Sequence, residues 1–335
     1  MKQKRNFGIG VLGETAIKKT VAYAALAERM GYGACWVAED YFCGGAFTIA
    51  TACAAATSNI DIGIGVLNPY TRHPALIAME AAALHEYAGG RLLLGLGSSN
   101  AIWIEKQMGI PFGQILPSLE ECTQILRGMF NGERINLDGQ VFHTAGIVPK
   151  VPVHGKLPLI YGVKSEKLLR MAGRLADGVL LSVGTSAEYV RWVKEQLAVG
   201  AQEAGRELGD DFTIAAYLLF SIDEDRQRAR ERVKKKLAYY MGLHGDHPIM
   251  RRAGISAEKA SLFREGFLQA NPRVDLVTED MLDKLTISGT PQECRARLQG
   301  LLDAGVTQPV VFEYDEMPME ENMASVRRYL FEVLE

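Results

Sequence analysis

The chain has 335 residues, of which 48% are hydrophobic, and its formal net charge is −3. This near-neutral balance gives no reason to expect nucleic acid or an anionic membrane surface as a partner. No apolar run reaches the 18 residues typical of a membrane-spanning helix. The five cysteines form no CxxC pair, so we expect a reduced, cytoplasmic protein without a zinc site or a signal peptide.

Eight continuous apolar runs recur along the chain, and helical spacing of apolar residues follows each of them. Continuous runs are typical of parallel strands, which are covered on both faces. The predicted strands are residues 7–11, 34–38, 60–66, 92–96, 157–163, 178–183, 212–220 and 309–312. The predicted helices are residues 16–30, 47–57, 75–87, 118–130, 167–175, 187–204, 226–241 and 322–334. This alternation predicts an α/β protein folded as a (β/α)8 TIM barrel.

Three segments do not fit the alternation, and we expect them to be insertions in one barrel domain that spans the chain. The first contains Trp103, which could either wall a planar ligand or cover the core. The second predicts a hairpin around the turn pair Asp138–Gly139. The third predicts extra helices over one end of the barrel. These segments are residues 98–117, 132–156 and 243–290.

The loop after the third predicted strand is the most informative part of the chain. It runs from Gly65 to Pro74, and the prolines at 69 and 74 keep the preceding Asn68 and His73 out of the helical region. A stiff loop at the carboxyl end of a barrel strand belongs where a ligand binds. Small and hydroxyl residues dominate the other strand ends, so we expect a cradle for a large ligand rather than a hydrolase site.

The stretch Gly8-Ile-Gly-Val-Leu-Gly13 matches the GxGxxG pattern of dinucleotide-binding proteins. In those proteins the glycines follow a strand and open a helix. Here the apolar residues between the glycines look like the strand itself. We therefore favour a glycine-bearing first barrel strand over an open-sheet, NAD-linked enzyme.

Two further patterns could bind ligands. Ser165 follows the fifth predicted strand and precedes a helix, so this helix start could hold a phosphate or could be capped without a ligand. His244 and His247 lie in a loop rich in glycine, aspartate and proline. Since their spacing supplies no third ligand, we expect solvated histidines and no metal.

Four segments resemble the bacterial luciferase-like superfamily of flavin- or deazaflavin-dependent oxidoreductases, in order along nearly the whole chain. The motif NPYTRHP resembles the corresponding segment of the coenzyme F420-dependent branch, which includes methylenetetrahydromethanopterin reductase. The family fold is a (β/α)8 barrel with insertions, in agreement with the predicted elements. The segments are GVLNPYTRHP at 65–74, AGGRLLLGLG at 88–97, LADG at 175–178 and ISGTP at 287–291.

The resemblance implies a set of site residues. It implies a cis peptide bond between Gly65 and Val66, in a bulge of the third strand that backs the deazaflavin ring. Asp40 and Tyr41 are the catalytic candidates, for orienting the substrate or donating a proton. The implied cofactor-binding residues are Asp40, Gly65, Val66, Asn68, Ser98, Gly162, Val163 and Ser165.

The chain departs from some F420-dependent relatives at two positions. Tyr41 stands where they carry a histidine after an aspartate, and Asn100 stands where they carry an acid. The departures disfavour alcohols and sugar phosphates as substrates. We therefore expect an F420-dependent oxidoreductase that transfers a hydride between deazaflavin C5 and a small organic substrate.

Other functions remain open from the sequence. The chain could be an FMN-dependent monooxygenase of the same superfamily, or a barrel that binds a cofactor without catalysis. The substrate should enter through residues 41–46, 98–117 and 243–290. A homodimer is expected from the resemblance alone.

Overall fold

The computed structural model describes residues 6–151 and 153–334. Its strands are β1 Gly8–Val11, β2 Ala34–Val37, β3 Asp61–Leu67, β4 Leu92–Gly97, β5 Ile135–Asp138, β6 His143–Ile147, β7 Leu159–Gly162, β8 Gly178–Leu181, β9 Thr213–Leu218, β10 Phe220–Ile222, β11 Ile287–Gly289 and β12 Gln308–Phe312. Its α-helices are α1 Ile17–Arg29, α2 Ala46–Ala55, α3 Pro74–Tyr87, α4 Ile115–Phe130, α5 Glu166–Leu175, α6 Ala187–Glu203, α7 Arg226–His244, α8 Pro248–Arg252, α9 Ala257–Leu268, α10 Glu279–Leu285, α11 Pro291–Ala304 and α12 Met319–Leu330. A π-helix covers Ile102–Gln107, and 3-10 turns cover Val274–Leu276 and Phe331–Leu334.

Eight strands close into a barrel, in the order β1, β12, β9, β8, β7, β4, β3 and β2. All eight pairings between neighbouring barrel strands are parallel. The predicted TIM barrel is therefore confirmed, and each of the eight predicted strands supplies one barrel strand. Within the described ranges, no helix is long and apolar enough to cross a membrane.

The first strand shows why the GxGxxG match does not indicate a dinucleotide-binding turn. Gly8 and Gly10 lie inside β1, so they belong to the barrel wall. A Cβ atom at Gly10 would lie 2.7 Å from Cε1 of Tyr217 on β9. The glycine therefore makes room for a tyrosine in the barrel interior, and the open-sheet alternative is wrong.

The hairpin in the second insertion is present, but its turn is longer than predicted. Asp138 on β5 pairs with His143 on β6, so four residues connect the strands instead of a two-residue turn. The carboxylate of Glu121 accepts the backbone N–H groups of Gln140, Val141 and Phe142 at 2.7 to 3.0 Å. These amides are turned toward α4, which prevents the predicted start of a strand at Val141.

The third insertion contains helices, as expected, and also the strand β11, which the pattern did not indicate. The helix α11, which follows the insertion, was not indicated either. The strand β11 pairs in parallel with β10, outside the barrel. Three-residue strands are too short to produce a recognisable pattern. The helix α11 begins with a capping box in which Thr290 and Glu293 exchange hydrogen bonds, a signal that the sequence carried.

Candidate active site

A cavity of about 850 Å³ opens at the carboxyl ends of the barrel strands. Its lining comes from the ends of β3, β4, β7, β8 and β9 and from the insertions 98–117 and 243–290. Most of the lining atoms are apolar, and the charged groups are confined to the residues contributed by one loop and one insertion. The cavity therefore has two chemically different ends.

One end is a flat, uncharged surface that we call the glycine wall, formed by Gly65, Val66, Gly97 and Gly162. The peptide bond between Gly65 and Val66 is cis, as the resemblance implied. The register between β3 and β4 shifts between Ile64 and Leu67, which is the expected bulge.

The glycines are needed because of the Val66 side chain. A Cβ atom at Gly97 would lie 2.6 Å from Val66 Cγ2, and one at Gly162 would lie 2.9 Å from Val66 Cγ1. Real Cβ atoms do not approach other atoms so closely. The three residues thus pack against one another and form a smooth surface at the strand ends.

The insertion after β4 adds an aromatic side to this end of the cavity. The side chain of Asn100 accepts the N–H groups of Ile102 at 3.0 Å and Trp103 at 3.3 Å, which starts the π-helix. Trp103 lines the cavity, and its ring centroid lies 5.4 Å from that of Tyr41. Of the two roles expected for Trp103, the structure favours a wall for a ligand.

The catalytic candidates lie just behind this lining. Tyr41 donates to Ser99 Oγ at 2.7 Å and accepts from Asn68 Nδ2 at 2.8 Å. Asp40 accepts the N–H of Gly13 at 2.7 Å. Ser99 lines the cavity, whereas Asp40, Tyr41 and Asn68 are not among the described lining residues. Their predicted roles in catalysis and cofactor binding stay predictions.

The other end of the cavity is positively charged. We call it the cationic end and define it by Lys164, His244, His247 and Arg264, all of which line the cavity. His244 is buried, and its Nε2 lies 2.7 Å from the carbonyl oxygen of Val183. This contact places a hydrogen on Nε2, so Nδ1 is an acceptor for Lys164 Nζ at 3.2 Å.

The electrostatics of the cationic end follow from burial and from like charges. Burial, with the nearby charge of Arg264, lowers the pKa of Lys164 to about 8. Burial and the charge of Lys164 lower the pKa of His247 to about 4 and hold the pKa of His244 well below its ordinary value. Both histidines are therefore neutral at pH 7, and Lys164 and Arg264 carry the positive charge.

Neither cation is neutralised by a salt bridge to another described residue. The guanidinium of Arg264 instead donates to the carbonyl groups of Gly242 and Leu243 at 3.3 Å, at the end of α7. Asp246, the acidic residue in the lining, pairs with Arg251 at 2.6 Å. The cavity thus presents two cations that can attract an anion.

Ser165 lies at the N-cap position of α5 and lines the cavity beside Lys164. Within residues 6–151 and 153–334, its side chain makes no capping hydrogen bond. The sequence had allowed Ser165 to cap the helix with its hydroxyl. The first N–H groups of a helix have no partner within the helix and carry positive partial charge. Together with Lys164, they are suited to a phosphate.

The structure brings six of the predicted cofactor-binding residues together in the cavity lining. They are Gly65, Val66, Ser98, Gly162, Val163 and Ser165. The expectation that His244 and His247 are solvated is wrong, because both line the cavity and His244 is buried. Sequence reasoning did not select Lys164, Arg264, Ser99 or Tyr217. In the described ranges, no group of three or more potential ligands could hold a metal ion.

Comparison with known proteins agrees with this architecture. The chain is 34% identical to 5,10-methylenetetrahydromethanopterin reductase of Methanolobus tindarius, over 91% of this chain and 93% of that relative. It is 31% identical to the enzyme of that name from Archaeoglobus fulgidus, again over 91% of the chain and 92% of the relative.

Among solved structures, the coenzyme F420-dependent tetrahydromethanopterin reductase from Methanopyrus kandleri superposes with a TM-score of 0.88 and 28% identity, over 99% of this chain and 100% of that one. An FMN complex of a type II Baeyer–Villiger monooxygenase from Pseudomonas putida shares the fold, with a TM-score of 0.74 and 16% identity over 98% of both chains. The family model described as luciferase-like monooxygenase matches residues 3–308. The chain therefore belongs to the luciferase-like monooxygenase family.

Proposed function

We propose that this protein is a coenzyme F420-dependent oxidoreductase that acts on a methylene group of a reduced pterin, as the 5,10-methylenetetrahydromethanopterin reductases named above do. The observation that carries the proposal is the cavity itself. It combines an uncharged flat wall with a helix N-terminus and two cations at its other end. A deazaflavin ring joined to a phosphate-bearing tail has the same two chemical parts.

The chain's own residues fit this cofactor. The glycine wall would support one face of the ring, and Gly65, Val66, Gly97 and Gly162 leave no side chain other than that of Val66 in its way. Ser165 and Lys164 would hold the phosphate, with Arg264 near it. When bound, F420 supplies or accepts the hydride at C5 of the deazaflavin, and the protein supplies position and electrostatics.

The substrate would bind beside Trp103, at the open side of the ring. The acidic lining residue Asp246 is already paired with Arg251, and it lies at the cationic end. A hydride transfer that needs no acidic side chain from the lining is consistent with this arrangement. Asp40 and Tyr41 remain the candidates for orienting the substrate, Tyr41 through its contact with Ser99.

Cofactor binding tests the proposal directly. The intrinsic fluorescence of the protein should be quenched by F420 at micromolar concentrations, and F420 should raise the melting temperature by mass action. Reduced F420 should then be oxidised in the presence of 5,10-methylenetetrahydromethanopterin. Tight binding of FMN without binding of F420 would instead indicate the monooxygenase alternative, and F420 binding without turnover would indicate a non-catalytic barrel.

We further propose that the chain forms a single functional domain, acts in the cytoplasm on a small molecule, and assembles as a homodimer.

The dimer is supported by an apolar stripe on α3, where Leu76, Met79, Ala83 and Tyr87 are exposed at helical spacing on one face. Sedimentation of the wild type should give twice the chain mass, and Met79→Glu should shift it toward the monomer. A monomeric wild type would contradict this proposal.

A further inference from the structure

The hydrogen bonds around Tyr41 fix the direction in which each group donates. The side-chain oxygen of Asn68 accepts the N–H groups of Tyr70 at 2.9 Å and Thr71 at 3.0 Å. Its amide nitrogen must therefore face Tyr41, to which it donates at 2.8 Å. This removes the usual ambiguity between the oxygen and nitrogen of an asparagine side chain.

The hydroxyl of Tyr41 consequently receives one hydrogen bond and has one hydrogen to donate. That hydrogen goes to Ser99 Oγ, 2.7 Å away. Burial raises the pKa of Tyr41, so the phenol stays protonated at neutral pH. The chain of donors thus runs in one direction, from Asn68 through Tyr41 to Ser99.

Ser99 is the end of this chain of donors. Its oxygen accepts from Tyr41, and no other group in residues 6–151 and 153–334 accepts its hydroxyl hydrogen. Ser99 lines the cavity, and its φ of 57° is in the left-handed region that serine rarely adopts. The backbone therefore holds the serine in an unusual conformation, and its hydroxyl hydrogen is available to a ligand in the cavity.

We infer that Ser99 donates a hydrogen bond to an acceptor atom of the substrate, a carbonyl oxygen or ring nitrogen, and that Tyr41 and Asn68 are positioning residues that act through it. This inference rests on the proposed function. Ser99 directly follows Ser98, and its hydrogen-bond partner Tyr41 packs against Trp103, beside which the substrate would bind. It therefore serves the substrate rather than the phosphate of the cofactor.

The test compares steady-state kinetics of Ser99→Ala, Ser99→Gly, Tyr41→Phe and the double variant Tyr41→Phe/Ser99→Ala, with reduced F420 and 5,10-methylenetetrahydromethanopterin. Each Ser99 variant should lower kcat/KM for the pterin about 20-fold, because an acceptor would lose its donor. Glycine fits a positive φ and alanine does not, so equal losses assign the effect to the hydroxyl. The dissociation constant of F420 should change less than about twofold.

Tyr41→Phe should lower kcat/KM about fivefold and keep the ring contact with Trp103. Because Tyr41 acts through Ser99, the double variant should be no worse than Ser99→Ala, about 20-fold instead of the 100-fold expected for independent residues. Ser261→Ala, at an exposed serine of α9, is the matched control and should leave the kinetics unchanged.

Three results would overturn the inference. They are kinetics of Ser99→Ala and Ser99→Gly within twofold of wild type, multiplicative losses in the double variant, or a loss that appears as weaker F420 binding. A wild type that neither binds F420 nor turns over the pterin would overturn the proposed function as well, so the two failures are distinguishable.

Discussion

The two ends of the cavity are made of different parts of the chain. The glycine wall consists of backbone and small side chains from three neighbouring barrel strands, β3, β4 and β7. The cationic end consists of long polar side chains from the loop after β7 and from the insertion 243–290. One end recognises shape through close packing, and the other recognises charge.

The difference shows how the two ends can vary. The glycine wall is part of the barrel, where a methyl group added at any of its three glycines meets a neighbour at 2.4 to 2.9 Å. The cationic end depends on side chains that are held by a few hydrogen bonds, such as that between Lys164 and His244. We expect the wall to control which ring binds, and the cationic end to control which tail binds and how tightly.

A phosphate-free deazaflavin riboside, compared with F420, separates the two ends. Changes at the cationic end should weaken F420 binding and leave the riboside unaffected. Changes at the glycine wall should weaken both ligands alike. The dissociation constants of the two ligands can both be measured by fluorescence quenching.

The largest effect is expected for Ser165→Asp. A carboxylate at the start of α5 would face the phosphate and repel it, so the dissociation constant of F420 should rise at least about 100-fold. Aspartate is a good N-cap residue, so the helix and the melting temperature should be preserved. An unchanged F420 affinity would remove Ser165 from the site.

A smaller effect is expected for Lys164→Met, which keeps the length of the side chain but removes its charge. Loss of one charged hydrogen bond to a phosphate should raise the dissociation constant of F420 about 30-fold at pH 7. Lys167→Met, at an exposed position of α5, is the matched control. If both lysines gave the same small effect, the positive charge of Lys164 would have no specific role.

The same comparison explains what could be predicted from the sequence. The barrel was predicted because each buried parallel strand is a local run of apolar residues. Gly65 and Val66 of the glycine wall were predicted as site residues because they lie in a contiguous segment that resembles a known family, whereas Gly97 was not selected.

The cationic end was not predicted because its residues are far apart in the chain. Lys164 and His244 are separated by 80 positions, and no local pattern indicates that they meet. His244 looked like a loop residue, but α7 continues to it and buries it against Val183. In the sequence, nothing distinguishes Lys164 and Arg264 from charged residues on solvated helix faces. Only the packing of the insertion on the barrel distinguishes them.

At the glycine wall, Gly97→Ala should weaken both ligands about tenfold. The new Cβ atom would lie 2.6 Å from Val66 Cγ2, so Val66 would have to move toward the ring. Gly300→Ala on α11, where a Cβ atom meets nothing within 4 Å, is the control. Weaker binding of F420 alone, with the riboside unaffected, would contradict the division between the two ends.

The smallest effect expected is a pH dependence that belongs to the cationic end. The pKa of Lys164 is lowered to about 8 by burial and by Arg264, and a bound phosphate would favour the charged lysine and raise this pKa. Between the two pKa values, binding takes up a proton, so F420 affinity should be highest below about pH 8. It should fall as the pH rises, by less than about tenfold in total up to pH 9.5. At constant ionic strength, the dissociation constant measured from pH 7 to 9.5 should rise for the wild type with F420. It should stay flat for Lys164→Met, and an equal slope in that variant would assign the titration to another group.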